Sequence, residues 1–179
     1  MITTLAKSVG HLGPRDGASL GRWLLRGAAA GAAGTTALNA VTYLDMAVRG
    51  RPSSSTPEQS VERIANAVHL PIPGNGDARE NRLSGLGPLM GLGVGTGAGA
   101  VLGALHAAGL RLPLTAESVA TAVGVMSSTN TPMAVLGISD PRSWSVSSWM
   151  SDVLPHAAYG VVTAWTLHEL AASGRRRFR

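Results

Sequence analysis

Residues 83–110 read LSGLGPLMGLGVGTGAGAVLGALHAAGL and hold no Asp, Glu, Lys or Arg. A helix of about 20 residues crosses the roughly 30 Å hydrocarbon layer of a bilayer, so this stretch has the length of a membrane span. The rest of the 179-residue chain repeats the pattern: residues 27–44 and 118–139 carry no charge, and residues 143–168 carry only Asp152. Charge is crowded into the head, the stretch 45–82, the short joins and the tail. Mean hydropathy reaches only +0.17, because Ala and Gly rather than Leu and Phe fill the apolar segments. This patterning argues against an ordinary soluble domain. It predicts an all-α integral membrane bundle of four transmembrane helices with a short amphipathic surface helix.

The predicted layout is a cytoplasmic segment over 1–25, a four-span membrane domain over 26–170 and a basic tail over 171–179. The spans are expected at about 26–46, 86–110, 116–138 and 145–170. Ala37-Leu38-Asn39-Ala40 resembles a signal-peptidase site, but such a leader would run to about 40 residues, past the usual 15–30, so retention as the first span is expected. The polar connection 47–83 contains Thr56-Pro57-Glu58-Gln59, which reads as a helix start with Thr56 as cap and Gln59 closing a capping box. Val61, Ile64, Ala65 and Val68 then form one apolar stripe, predicting a surface helix over 57–69 that lies on the membrane or caps the bundle. Pro132 interrupts the third span, where hydroxyls before it can re-satisfy the freed backbone.

With both termini inside, the cytoplasmic segments hold nine Lys/Arg and the outer segments six, so the positive-inside rule predicts that both termini are cytoplasmic. Trp23, Trp144, Trp149 and Trp165 read as interfacial anchors. The net charge of +5 comes from residues at the chain ends, with no basic module or aromatic platform that would recognise nucleic acid. The partners expected are the lipid bilayer and a membrane-protein partner or a second copy of the chain. The chain has no cysteine, which removes disulfides and thiolate chemistry.

Gly91, Gly95, Gly99 and Gly103 recur every fourth residue, and Gly27 and Gly31 share that spacing on the first span. No Gly-Lys-Ser/Thr follows, so the run is not a phosphate loop. On a membrane helix it makes a flat groove for close packing, within the bundle or between chains.

The fourth span carries Ser148, Asp152, His156, Tyr159 and Thr163 down one helical face. Ionisable groups inside a bilayer face the bundle interior or a wet cavity. Asp152 and His156 are one turn apart, with Pro155 between them to kink the helix. They read either as a proton or ion relay and polar pocket, or as a paired unit that fixes helix register. Asp45, His106 and Glu117 are candidate relay partners across the bundle. His168-Glu169 is placed at the interface, where snorkelling explains it. No two histidines stand at i, i+3 or i+4, so no metal site is expected, and neither a catalytic residue nor a cofactor is assigned.

The segment Ser151-Asp152-Val153-Leu154-Pro155-His156 resembles the last helix of small YagU-like inner-membrane proteins, in which an acidic residue also precedes a histidine by four positions. Asp45 followed by Arg49-Gly50-Arg51-Pro52-Ser53 is similar to the end of their first span. The resemblance implies a plasma-membrane protein of no assigned reaction and supports treating Asp152 and His156 as a unit. Two functions stay open: a bundle that couples, senses or conducts protons or a small solute, and an accessory subunit docked through its Gly-rich helices onto a larger membrane complex. An enzyme ranks third.

Overall fold

The structure, a computed structural model, describes residues 19–176, with side chains described to residue 173. It is all-helical, with no strand among the described residues. Four long helices, α1 (Leu20–Arg49), α3 (Gly76–Ala107), α4 (Leu114–Val135) and α5 (Val146–Arg176), alternate in direction, and the short α2 (Thr56–Ala67) folds back on α3. A 3₁₀ turn, Pro141–Ser143, opens the α4–α5 join. There Asp140 accepts from the backbone N–H and guanidinium of Arg142, which hold its carboxyl below the usual range.

One helix, α3, has both the length and the hydropathy to cross a membrane; no other described helix does. Helices α1, α4 and α5 are long enough, at about 1.5 Å per residue, but their Ala, Gly, Ser and Thr content keeps hydropathy low. The expected boundaries shift. The charged stretch from Gly76 to Arg82, assigned to the polar connection, already belongs to α3, because a charge gap marks where charge stops rather than where a helix begins. Residues 20–25, assigned to the N-terminal segment, are the first turns of α1, and the tail is helical to Arg176. Residues 1–18 and 177–179 of the expected head and tail lie outside the described residues.

Helix α2 starts one residue earlier than its sequence suggests: Ser55 is the cap, and its hydroxyl takes a 2.8 Å bond from the Gln59 amide. The stripe splits, with Ala65 buried while Ile64 and Val68 stay exposed. Pro57 packs over Gly87 of α3, and Arg79 bonds Glu62. On α4 the hydroxyls before Pro132 do bond backbone, but one turn earlier than the carbonyl that proline frees. Ser128 donates to Val125 O at 2.8 Å and Thr129 to Val125 and Met126 O at 3.1 and 3.0 Å.

Helix α1 is central, packed on α3 on one side and α5 on the other, while α4 packs on α5 and meets α3 chiefly near their join. The α1–α3 contact is backbone on backbone. A Cβ on Gly27 would lie 2.9 Å from Gly103 Cα, one on Gly31 3.0 Å from Gly99 Cα, and one on Gly99 2.5 Å from Gly31 Cα. Gly95 meets the Thr35 side chain, whose hydroxyl is bonded back to Gly31 O at 2.8 Å. Gly91, expected in the same groove, has nothing within 4 Å of a Cβ. It does not take part.

Polarity is partly inverted relative to a water-soluble bundle: beside an apolar core that includes Trp23, Ala30 and Leu167, the interior holds many polar side chains. Thr35, His106, Glu117, Ser118, Asn130 and Thr163 are buried, while Leu25, Leu44, Leu89, Val101, Val119, Val135, Val161 and Trp165 are exposed on the four long helices. Gly99→Ala should therefore destabilise the fold by about 1–3 kcal/mol through overpacking, whereas Gly91→Ala should change stability by less than about 0.5 kcal/mol. Thermal unfolding in mild detergent, followed by circular dichroism, checks both; equal losses would contradict the packing.

Candidate functional site

The polar face of α5 does not stay together as one line. Ser148 is exposed and shares a 2.9 Å hydroxyl contact with Ser145. Asp152 turns toward α4, where its Oδ2 accepts from Asn130 Nδ2 at 2.8 Å. His156 Nδ1 lies 2.7 Å from the Asp152 carbonyl oxygen and 3.3 Å from Asp152 Oδ1. With two oxygens on that nitrogen, Nδ1 carries the proton and Nε2 is left to accept or bind. Tyr159 and Thr163 are wholly buried toward α1 and α3. The Tyr159 hydroxyl donates to Gly95 O at 2.6 Å. Pro155 sits buried within an unbroken α5.

Asp45 does not meet Asp152. Its carboxylate is held by Arg51 Nε at 2.5 Å, Arg49 at 3.2 Å and the Ser151 hydroxyl at 3.0 Å. Arg49 also donates to Ser151 Oγ at 2.9 Å and to Ser147. This network ties the C-terminal end of α1 to the N-terminal end of α5.

The opposite end of the bundle holds a second polar centre. His106 in the last turn of α3, Glu117 in the first turn of α4 and His168 near the end of α5 converge. His106 Nε2 is 2.8 Å from Glu117 Oε2, and His168 Nε2 is 3.3 Å from Glu117 Oε1. The second contact is not aligned as a hydrogen bond, so Glu117 Oε1 and His168 Nε2 are both buried atoms without a partner, as is His106 Nδ1. The side chains of His106 and Glu117 are 2% exposed and that of His168 33%. The two imidazoles meet edge to face with centroids 5.8 Å apart, and Trp23 stands against His106 at 5.5 Å.

Trp23, expected as an interfacial anchor, is buried, with the guanidinium groups of Arg26 and Arg111 at 5.2 and 5.1 Å from its ring. His168, assigned to snorkelling, instead turns inward, while its neighbour Glu169 is exposed. A cavity of about 140 Å³ lined by His106, Arg111, His168 and Ala171 opens beside the centre.

The sequence argument for a metal site looked for histidine pairs within one helix and so missed a constellation assembled from three. Up-down topology was the available signal. It brings the end of the second long helix, the start of the third and the end of the fourth to one side. The two centres are separate, because His156 and His168 stand about 18 Å apart along α5. Among the described residues no continuous line of ionisable groups joins them: the Tyr159 hydroxyl between them is committed to a backbone carbonyl.

No family model, curated protein or solved structure matches the chain, so the resemblance to YagU-like proteins rests on the residues quoted for it. If Asp152 and His156 act as a unit, removing one partner strands the other. Asp152→Asn and His156→Leu should each lower stability in detergent by about 1–3 kcal/mol, and the double variant should recover part of the loss. Strict additivity across this cycle would show that the two side chains are uncoupled.

Proposed function

We propose that the chain is a small multi-pass protein of the bacterial plasma membrane. On this reading α1, α3, α4 and α5 all cross the bilayer, and both termini are cytoplasmic. The observation that carries the proposal is the partly inverted polarity: a bundle in water would hide Leu89, Val101 and Val161 before it hid Glu117, Asn130 and Thr163. The low hydropathy of three helices is compatible with spanning, because small residues permit close packing that an Ile- or Phe-rich helix would prevent. Helix α2, with Ile64 and Val68 exposed, lies at the outer interface.

Within this bundle the Asp152–His156–Asn130 group acts as a proton-responsive element rather than a conduction path. The groups facing it are Asn130 on α4 and, through Ser151, the Asp45–Arg49–Arg51 network on α1. Protonating His156 places a cation 3.3 Å from Asp152 Oδ1 and changes how α5 is held against α4. The gap of about 18 Å to the other centre supports sensing or coupling over conduction. A second reading, docking onto a larger membrane complex, is favoured by Gly93 and Gly97, which are exposed one turn apart on α3 with nothing near them. A stoichiometric partner retained through purification in mild detergent would select it.

Two experiments test the main reading. The chain has no cysteine, so single cysteines placed at Asn75 and at the C-terminus can be labelled in intact cells. Asn75 should react from outside and the C-terminus only after permeabilisation; labelling of both from one side would exclude four spans. Between about pH 5 and 8, where histidine titrates, the wild-type thermal midpoint should shift, and His156→Leu and Asp152→Asn should each reduce that shift. A shift undiminished in both variants would remove the pair from any sensing role.

A further inference from the structure

We infer that His106, Glu117 and His168 form a binding site for one divalent first-row transition ion, with Zn²⁺ the best fit. Two imidazoles and one carboxylate are the donor set of three-ligand zinc sites, which leave one position open. Ligands about 2.0–2.1 Å from a tetrahedral ion lie roughly 3.3 Å from one another. His106 Nε2 and His168 Nε2 stand 2.8 and 3.3 Å from different oxygens of Glu117, and one ligand atom from each of the three residues lies within 4.8 Å of the others, so a small side-chain shift brings them to that spacing.

A second observation is independent of the clustering. Glu117 Oε1 is an unpartnered carboxylate oxygen on a side chain that is 98% buried, and it points at another orphaned atom, His168 Nε2. A buried carboxylate needs charge compensation as well as hydrogen bonds. Neutral histidines supply only the bonds, whereas a divalent ion supplies both and occupies the orphaned atoms together. In the ion-free state the short His106–Glu117 contact holds a proton where the ion would sit. Binding at Nε2 therefore moves that proton to His106 Nδ1, the unpartnered nitrogen of the same ring, so that the imidazole ligates in its neutral form.

The open position faces the cavity beside His106 and His168. The ion would also join the ends of three helices, including α3 and α4, which otherwise touch little. The inference concerns this end of the bundle and does not depend on the Asp152–His156 reading.

Tag-free protein in mild detergent, stripped with a chelator and desalted, is titrated calorimetrically with Zn²⁺. A parallel titration with Co²⁺ reads the visible spectrum. Wild type should bind one ion per chain, gain thermal stability with Zn²⁺ and give Co²⁺ bands of a four-coordinate nitrogen–oxygen site. His168→Ala, at a partly exposed position, should keep the fold yet weaken binding by more than about 100-fold, beyond the cost of losing an outer-shell bond. Glu117→Gln should do the same. Glu169→Gln, which removes the exposed neighbouring carboxylate, should bind like wild type. Absence of wild-type binding, an octahedral aquo-like Co²⁺ spectrum, or undiminished binding in His168→Ala would each overturn the site. Should Glu117→Gln fail to fold, the wild-type spectrum and His168→Ala decide alone.

Discussion

The close approach of α1 to α3 is the constraint on which the architecture turns. Gly27 and Gly31 meet Gly99 and Gly103 with no side chain between the two backbones, and Gly95 makes room for the Thr35 side chain. At that distance dispersion contacts are dense although neither surface is strongly apolar. Helix α1 can then take the middle of a row, with α3 on one flank and α5 on the other. From α5, Tyr159 reaches past α1 to Gly95 O, a bond that needs the backbone of α3 to lie within one side chain's length. A methyl group in this contact would displace more than one helix.

Much of this was legible before any coordinates. The charge gaps gave the four long helices and their order, and the Thr-Pro-Glu-Gln stretch gave the start of α2 to within a residue, though the helix ends at Ala67 rather than at 69. The glycine groove was only partly legible. Residues four apart on a helix drift by about 40° per step, so Gly91 and Gly103 differ by about 120° around the axis. A run of four cannot remain on one face, yet the spacing alone does not say which member leaves. The polar face of α5 was visible and still misleading: Asp152 and Thr163 differ by only about 20° around the axis, yet at different heights they meet different neighbours, Asn130 on α4 and Gly34 on α1. His168 was beyond reach because its role depends on Glu117, a residue on another helix. Spacing rules within one helix carry no information about such a meeting.

The two polar centres share a construction. Each lies near an end of the bundle, and each joins α5 to α4 through a carboxylate: Asp152 takes Asn130, and Glu117 takes the inward face of His168. The burial around them differs. Asp152 and His156 are 17% and 13% exposed, and Arg49 at the end of α1 and Arg51 just after it are close by, so water and countercharge reach that end. Glu117 lies beneath His106, with the Trp23 ring and its two flanking guanidinium groups beyond. The first arrangement suits reversible protonation and the second suits a retained charge.

The row order has a mechanical side. Helices α3, α1 and α5 are packed through glycines and a buried tyrosine, whereas α4 rests almost wholly on α5, where Gly160 admits Ser118 and Ala122. Helix α4 is thus a leaf on a three-helix post, latched near its two ends by the Asn130–Asp152 and Glu117–His168 contacts. Local opening in proteins follows such boundaries, releasing the segment with the fewest independent contacts as one cooperative unit. The amides of α4 belong to a weaker unit than those of the post, and whatever unlatches either end changes how often that unit opens.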